Sequence, residues 1–212
     1  MKLKTVSWKK LQETLPKSGK HIIAQQTDDS LVVYQAFRPA IANYAVAHQA
    51  FGGNAYNFDR MSWIKPNFLW MMYRCGWAEK EGQERVLAIH LPKTFFEEIL
   101  SQAALSTYKH WIYPDKAIWE ETLRTKPVRL QWDPDHDPAG NKMERRAIQL
   151  GLKGDILKEF GKRQVLAIED ITDFVKEQRA VLRSGRPEDL LVPEESLYVL
   201  QNTSLKNSID LH

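Results

Sequence analysis

Two apolar runs near the N-terminus, residues 21–26 (HIIAQQ) and 31–37 (LVVYQAF), flank the turn-forming TDDS. Short apolar runs around an Asp- and Ser-rich turn predict a β-hairpin. Along its second strand, alternation puts Val33, Gln35 and Phe37 on one face and Val32, Tyr34 and Ala36 on the other. Pro39 suits the first turn of a helix over 39–50, which Gly52 and Gly53 end. Pro66 and Gly76 bracket a second helix, of about ten residues, in the same manner. Residues 85–91 (RVLAIHL) read as a strand, and 91–103 as an amphipathic helix with Phe95, Phe96, Ile99 and Leu100 on its apolar face. Further along, 128–132 is a short strand, 142–150 a helix, 164–171 a strand and 172–184 a helix. The pattern predicts an α+β fold over 1–212: a single domain with a central, mainly antiparallel sheet, continuous or split, flanked by helices. Residues 1–20 form a helical extension, and 185–212 a tail that wraps the surface.

Composition narrows the class. A chain of 212 residues is ample for a real core. Its 43% apolar and 27% charged content is that of a soluble globular protein. A net charge of +3 permits nucleic acid as a partner, but no concentrated basic stripe demands it. One cysteine, Cys75, excludes an internal disulfide and a cysteine-rich zinc site. No apolar run reaches the roughly 20 residues of a membrane span, and the N-terminus lacks a signal-peptide core. A cytoplasmic protein without membrane partners is expected.

Residues 59–77 concentrate the candidate chemistry. They hold Trp63, Trp70 and Trp77, spaced by seven, with Arg60, Lys65 and Arg74 between them. Aromatic planes beside cations suit a flat ring carrying negative charge, such as a nucleotide. Lys65, placed before a helix start, is expected near the positive end of a helix dipole, where it and the Ser62 hydroxyl would hold a phosphate. Trp63 would stack on a base or on nicotinamide. Trp70 and Trp77 are expected in the core, with Phe68, Leu69, Met71 and Met72, and Cys75 as a buried inert thiol.

Two further motifs carry polar chemistry. Arg38 follows the Tyr34-Gln35-Ala36-Phe37 strand end and precedes a helix N-terminus, a pairing that suits an anion. Asp133, Asp135, Asp137 and Glu144 match positions 1, 3, 5 and 12 of a calcium-binding EF-hand loop, but Pro138 stands where a glycine is required, so that site is rejected. A magnesium or manganese site on Asp133, Asp135 and His136 and a plain helix-capping loop stay as alternatives, and no metal is assigned. His136 or Asp135 would serve as a general base, with Arg145 or Arg146 on a phosphate.

VYQAFRPAIANYAV, MSWIKPNFLWMMYRCGW, WDPDHDPAGNKMERRAIQLGL and IEDITDFVKEQR follow one another in this order. Together they closely resemble the domain-of-unknown-function family 4291 of bacteria and fungi, over about Ile22 to about Leu200. The resemblance implies a loose kinship with ADP-ribosyltransferase-like folds: a split β-sheet that binds NAD. It would make Glu169, at a late strand end, the glutamate that polarises the ribose 2′-hydroxyl. The same IEDIT segment also reads as a helix start capped by Asp170 or Thr172. The expected function is a nucleotide-binding transferase that uses NAD or a related phosphate-bearing ligand. Tyr34, Gln35, Arg38, Arg60, Ser62, Trp63, Lys65 and Arg145 would bind the ligand, and Glu169, His136 and Asp135 would act in catalysis. The alternatives are a non-catalytic RNA- or DNA-binding module and a protein-interaction domain.

Overall fold

The structure, a computed structural model, describes residues 3–211. Strand β1 (Thr5–Ser7) runs directly into helix α1 (Trp8–Thr14), where Ser7 Oγ accepts from the Lys10 N–H as an N-cap. The N-terminal extension is therefore a strand and a helix. The outermost residues of the expected extension and tail, 1, 2 and 212, lie outside the described range.

β2 (Gly19–Lys20) and β3 (Ile23–Ala24) lead to β4 (Ser30–Phe37). The predicted 21–37 hairpin shrinks to a tight turn with a Gln26–Leu31 bridge. α2 (Pro39–His48) starts at its proline as expected, but it ends at Gln49, in the left-handed region at φ 51°, before the glycine pair. The reason is tertiary: the Gln49 amide exchanges hydrogen bonds with the Ile168 backbone.

β5 (Ser62–Ile64) precedes α3 (Phe68–Cys75), which is capped by Asn67 and closed by Gly76 at φ 57°. β6 (Arg85–Pro92) and α4 (Lys93–Ser101) follow, and α4 buries its four expected apolar residues. β7 (Ala103–Leu105) and α5 (Lys116–Thr125) lead to β8 (Val128–His136) and β9 (Lys142–Leu152). These two strands form a long antiparallel hairpin. This corrects the helix predicted over 142–150 and the Asp-rich loop predicted after Trp132. Val128, Leu130 and Leu150, Leu152 alternate into the core, so the apolar period is two rather than 3.6.

α6 (Gly154–Glu159) winds into a π-turn before β10 (Ala167–Asp170) and α7 (Thr172–Arg183). The tail contributes β11 (Leu191–Pro193), β12 (Ser196–Leu197) and α8 (Thr203–Ser208). It is stitched to the N-terminal region: β11 pairs with β1, β12 with β3, and the buried Asp210 with Lys20.

The fold is α+β. One sheet runs β10-β6-β4, all antiparallel. In the other, β7 and β9 flank β8, while β2 and β5 lie on the outer edge of β9. The two are joined by a bridge between Tyr34 and Lys65, with N–H to O distances of 2.7 and 3.2 Å. α3 packs across this junction, against β4 and β8. Among the described residues no helix is long and apolar enough to cross a membrane.

Candidate functional site

Beyond the Tyr34–Lys65 bridge, β4 and β5 part, and a cleft of about 660 Å³ opens between them. That size lies within the usual range of ligand pockets. The Gln35 side chain takes over where the backbone ladder stops: its Nε2 donates to Ser62 Oγ at 2.8 Å and to the Trp63 carbonyl at 3.0 Å. Gln35 Oε1, however, is buried without a hydrogen-bond partner, and so is Trp70 Nε1. Both side chains line the cleft. Buried polar groups are nearly always paired, so two orphans in one cleft mark a place where a ligand or water completes the network.

The cleft floor is the polar face of the β8–β9 hairpin. Gln131 stands opposite Gln149, and Asp133 lies two residues further along β8 on the same face. Gln131 donates to Asp133 Oδ1 at 2.9 Å, and Gln149 to Oδ2 at 2.7 Å. One carboxylate is thus gripped by two amides, which fixes its orientation. Trp63 continues the floor on β5. It stands opposite Gly151, where a Cβ would come within 3.0 Å of the indole.

Three cations line the same cleft: Arg60, Lys65 and Arg74. Arg60 and Arg74 are exposed, and the Arg74 guanidinium lies over the Trp70 ring at 5.9 Å. Lys65 is only 5% exposed. Burial pushes its amine down to about 8, and Arg74 pushes the same way against Cys75 and Asp133. Lys65 therefore sits on the strand bridge, in the wall of the cleft, rather than at an open helix terminus. Asn67, the cap of α3, lies next to the buried carboxylate of Glu195, which accepts from the Phe68 N–H at 2.6 Å.

Of the residues singled out in the sequence, the structure gathers Gln35, Arg60, Ser62, Trp63 and Lys65 into this cleft. Trp70 is buried, as expected of a core residue, and also lines it. Arg38 lies next door, in a hollow that shares Phe37, Arg60, Met61 and Ser62 with the cleft. Tyr34 contributes only its backbone, because its ring is buried edge-on against Phe68.

The remaining candidates have other partners. Asp135 and Arg145 form a fully buried ion pair at 2.5 Å. Arg145 also donates to Gln12 and to the Pro16 carbonyl, so the pair ties the N-terminal segment to the hairpin and is not part of the cleft lining. His136 is stacked on Tyr73 at 3.7 Å and on Trp70 at 5.1 Å, with both ring nitrogens buried, and it is not part of the cleft lining. Glu169 sits on β10 and bonds to His90 at 2.8 Å. Its row runs Glu169–Ala88–Tyr34–Lys65 across the sheet. Three strand steps put it about 14 Å from the Lys65 backbone, and it is not part of the cleft lining. The Asp-rich segment has its carboxylates committed separately: Asp133 to two glutamines, Asp135 to Arg145, Asp137 to Asn141. Among the described residues no group of three or more His, Cys, Asp or Glu side chains is arranged to hold a metal ion.

Residues 21–198 match the family described as "Domain of unknown function (DUF4291)". The chain belongs to this family. No curated protein matches it. Within this member of family 4291, the parts of the cleft that sequence reasoning missed are Asp133 as its carboxylate, Gln131 and Gln149 as its holders, and Gly151 as the seat of Trp63. The signal for Gln131 and Asp133 was the polar alternation along 128–136, visible once that stretch is read as one strand; Gln149 follows only from its pairing opposite Gln131. The signal for Gly151 was absent, because its role depends on a cross-strand partner 88 residues away in the chain.

Proposed function

We propose that the cleft binds a nucleotide, NAD or a close relative, and that the protein is an ADP-ribosyltransferase-like enzyme. The observation that carries this reading is the convergence of an aromatic plane, three cations and one fixed carboxylate on a single cleft where a sheet parts. Trp63 stacks on the base or nicotinamide. Arg60 and Arg74 pair with the phosphates, and Lys65 stands beside them in the cleft wall. Asp133 faces the sugar, where its charge stabilises the positive character that develops at ribose C1 as the bond to nicotinamide breaks. Gln131 and Gln149 keep that carboxylate oriented before the reaction, so no reorganisation is needed at the transition state. The role first considered for Glu169 thus passes to Asp133, the carboxylate among the cleft-lining residues.

The test is an NAD-hydrolysis and ADP-ribosylation assay, with protein and RNA acceptors supplied, on the wild type and Asp133→Asn. A carboxylate that acts on developing charge lowers turnover when removed and leaves ligand affinity nearly unchanged. Full turnover in Asp133→Asn excludes Asp133 from the mechanism. No turnover in the wild type on any acceptor, together with binding of short RNA, moves the assignment to a nucleic-acid-binding module.

A further inference from the structure

Lys65 stands out among the buried groups of this chain. Its side chain is almost fully buried, yet among the described residues the ammonium has no hydrogen-bond or ion-pair partner. Fully buried lysines are rare unless paired. The groups that surround it are Arg74 and Cys75 from α3 and Asp133 from β8, with Arg60 also in the cleft wall. Burial and Arg74 outweigh the carboxylate, so a substantial neutral fraction of the amine exists near pH 8. A desolvated, unpaired amine beside another cation is the arrangement that makes lysine a nucleophile toward carbonyl carbon. The same cleft supplies what such a ligand needs: two exposed guanidinium groups, a tryptophan plane, and two polar atoms left without partners.

We propose that Lys65 forms an imine with the aldehyde carbon of a phosphate-bearing ligand whose phosphate rests on Arg60 and Arg74. The Nζ lone pair attacks the carbonyl carbon, and the C=O π pair moves to oxygen. Nitrogen gives up two protons in turn through Asp133: the first goes to that oxygen and forms the carbinolamine, and the second goes to the resulting hydroxyl, which departs as water as C=N forms. No oxidant or reductant is required, and water reverses the step. The inference rests on the nucleotide reading for its phosphate anchors. It narrows the ligand to one presenting an aldehyde, either the ring-opened sugar end of a molecule such as ADP-ribose or a planar aromatic aldehyde phosphate.

The experiment traps the imine. The full chain is incubated with ADP-ribose, or separately with pyridoxal 5′-phosphate, reduced with cyanoborohydride, digested and mapped by mass spectrometry. Binding of ADP, which has no free aldehyde, is measured alongside on the wild type. The expected result is a secondary amine on Lys65 in preference to the exposed lysines. Its yield rises as pH rises through about 8 and falls with excess ADP. Lys65→Arg and Lys65→Met, each checked for folding by circular dichroism, lose that adduct. Labelling by ADP-ribose alone assigns a sugar source, and labelling by pyridoxal phosphate alone an aromatic one. Label spread over surface lysines with Lys65 unmodified, while ADP still binds, overturns the nucleophile and leaves the nucleotide reading standing. A Lys65 adduct without ADP binding supports the nucleophile and removes the nucleotide reading.

Discussion

The Trp63 indole lies over Gly151 of the neighbouring strand, so closely that a Cβ at Gly151 would meet its Cε2 and Cζ2 atoms at 3.0 Å and Met61 Sδ at 2.6 Å. The glycine is there for space, because its backbone φ is not left-handed. Gly151→Ala must therefore move the ring or bend the strand. Overpacking of this kind costs typically 1–3 kcal/mol. Urea unfolding should show a lowered midpoint, and nucleotide affinity should fall with it because the stacking plane is displaced. An unchanged midpoint and unchanged affinity would show that the ring is not fixed by this contact.

The Asp135–Arg145 pair is predicted to be structural. Both side chains are 1% exposed, and removing one partner leaves a buried charge unpaired. Asp135→Asn or Arg145→Met should cost about 3–5 kcal/mol of unfolding free energy. The cleft-lining residues are untouched by either change, so denaturant titration should separate this loss from any change in ligand binding.

His136 gives a pH signature. Burial lowers its pKa, so the unfolded chain takes up a proton below about 6.5 while the folded chain resists it. Stability therefore falls as pH drops through that window, and His90, lowered by burial despite Glu169, adds a slope of the same sign. His136→Phe keeps the stack on Trp70 and Tyr73 and removes two unpartnered nitrogens. It should reduce the acid loss and stabilise by about 1–3 kcal/mol, read from melting curves at pH 5 and pH 7.5.

Much of the fold was legible where the local pattern was strong. Gly76 closes α3 and Pro39 opens α2 as expected, and the apolar face of α4 is the one its spacing predicted; α3 itself starts after the Asn67 cap, so Pro66 lies before the helix rather than in its first turn. The tryptophan segment located the cleft, since Arg60, Ser62, Trp63 and Lys65 all line it. What failed was a choice of period. Read as a loop and a helix, 133–150 hid a hairpin whose polar face carries Gln131, Asp133 and Gln149 and also the inward Asp135–Arg145 pair. Charged residues on a strand can face a cleft or the interior by a shift of one position, and sequence alone does not say which. Glu169 was placed by chain order, but the order of strands in the sheet sets it three steps from Lys65.

Lys65 should shape stability at alkaline pH. Its folded pKa is lowered to about 8, against roughly 10.4 in an unfolded chain. Between these values the unfolded state holds a proton that the folded state has lost, so stability rises with pH across that window. Below about 8 the buried ammonium is a constant penalty. Lys65→Met should flatten the rise and raise the melting temperature at pH 7.

The claim that the cleft is a nucleotide site is tested most directly by calorimetric titration of NAD, ADP-ribose and ADP into the wild type and Trp63→Ala. The wild type should bind at least one of them in the micromolar to millimolar range, worth roughly 4–8 kcal/mol. Trp63→Ala should lose about 1–3 kcal/mol of that affinity, the contribution of one base–aromatic stack. Absence of heat with every ligand, or equal affinity in wild type and Trp63→Ala, would contradict the account.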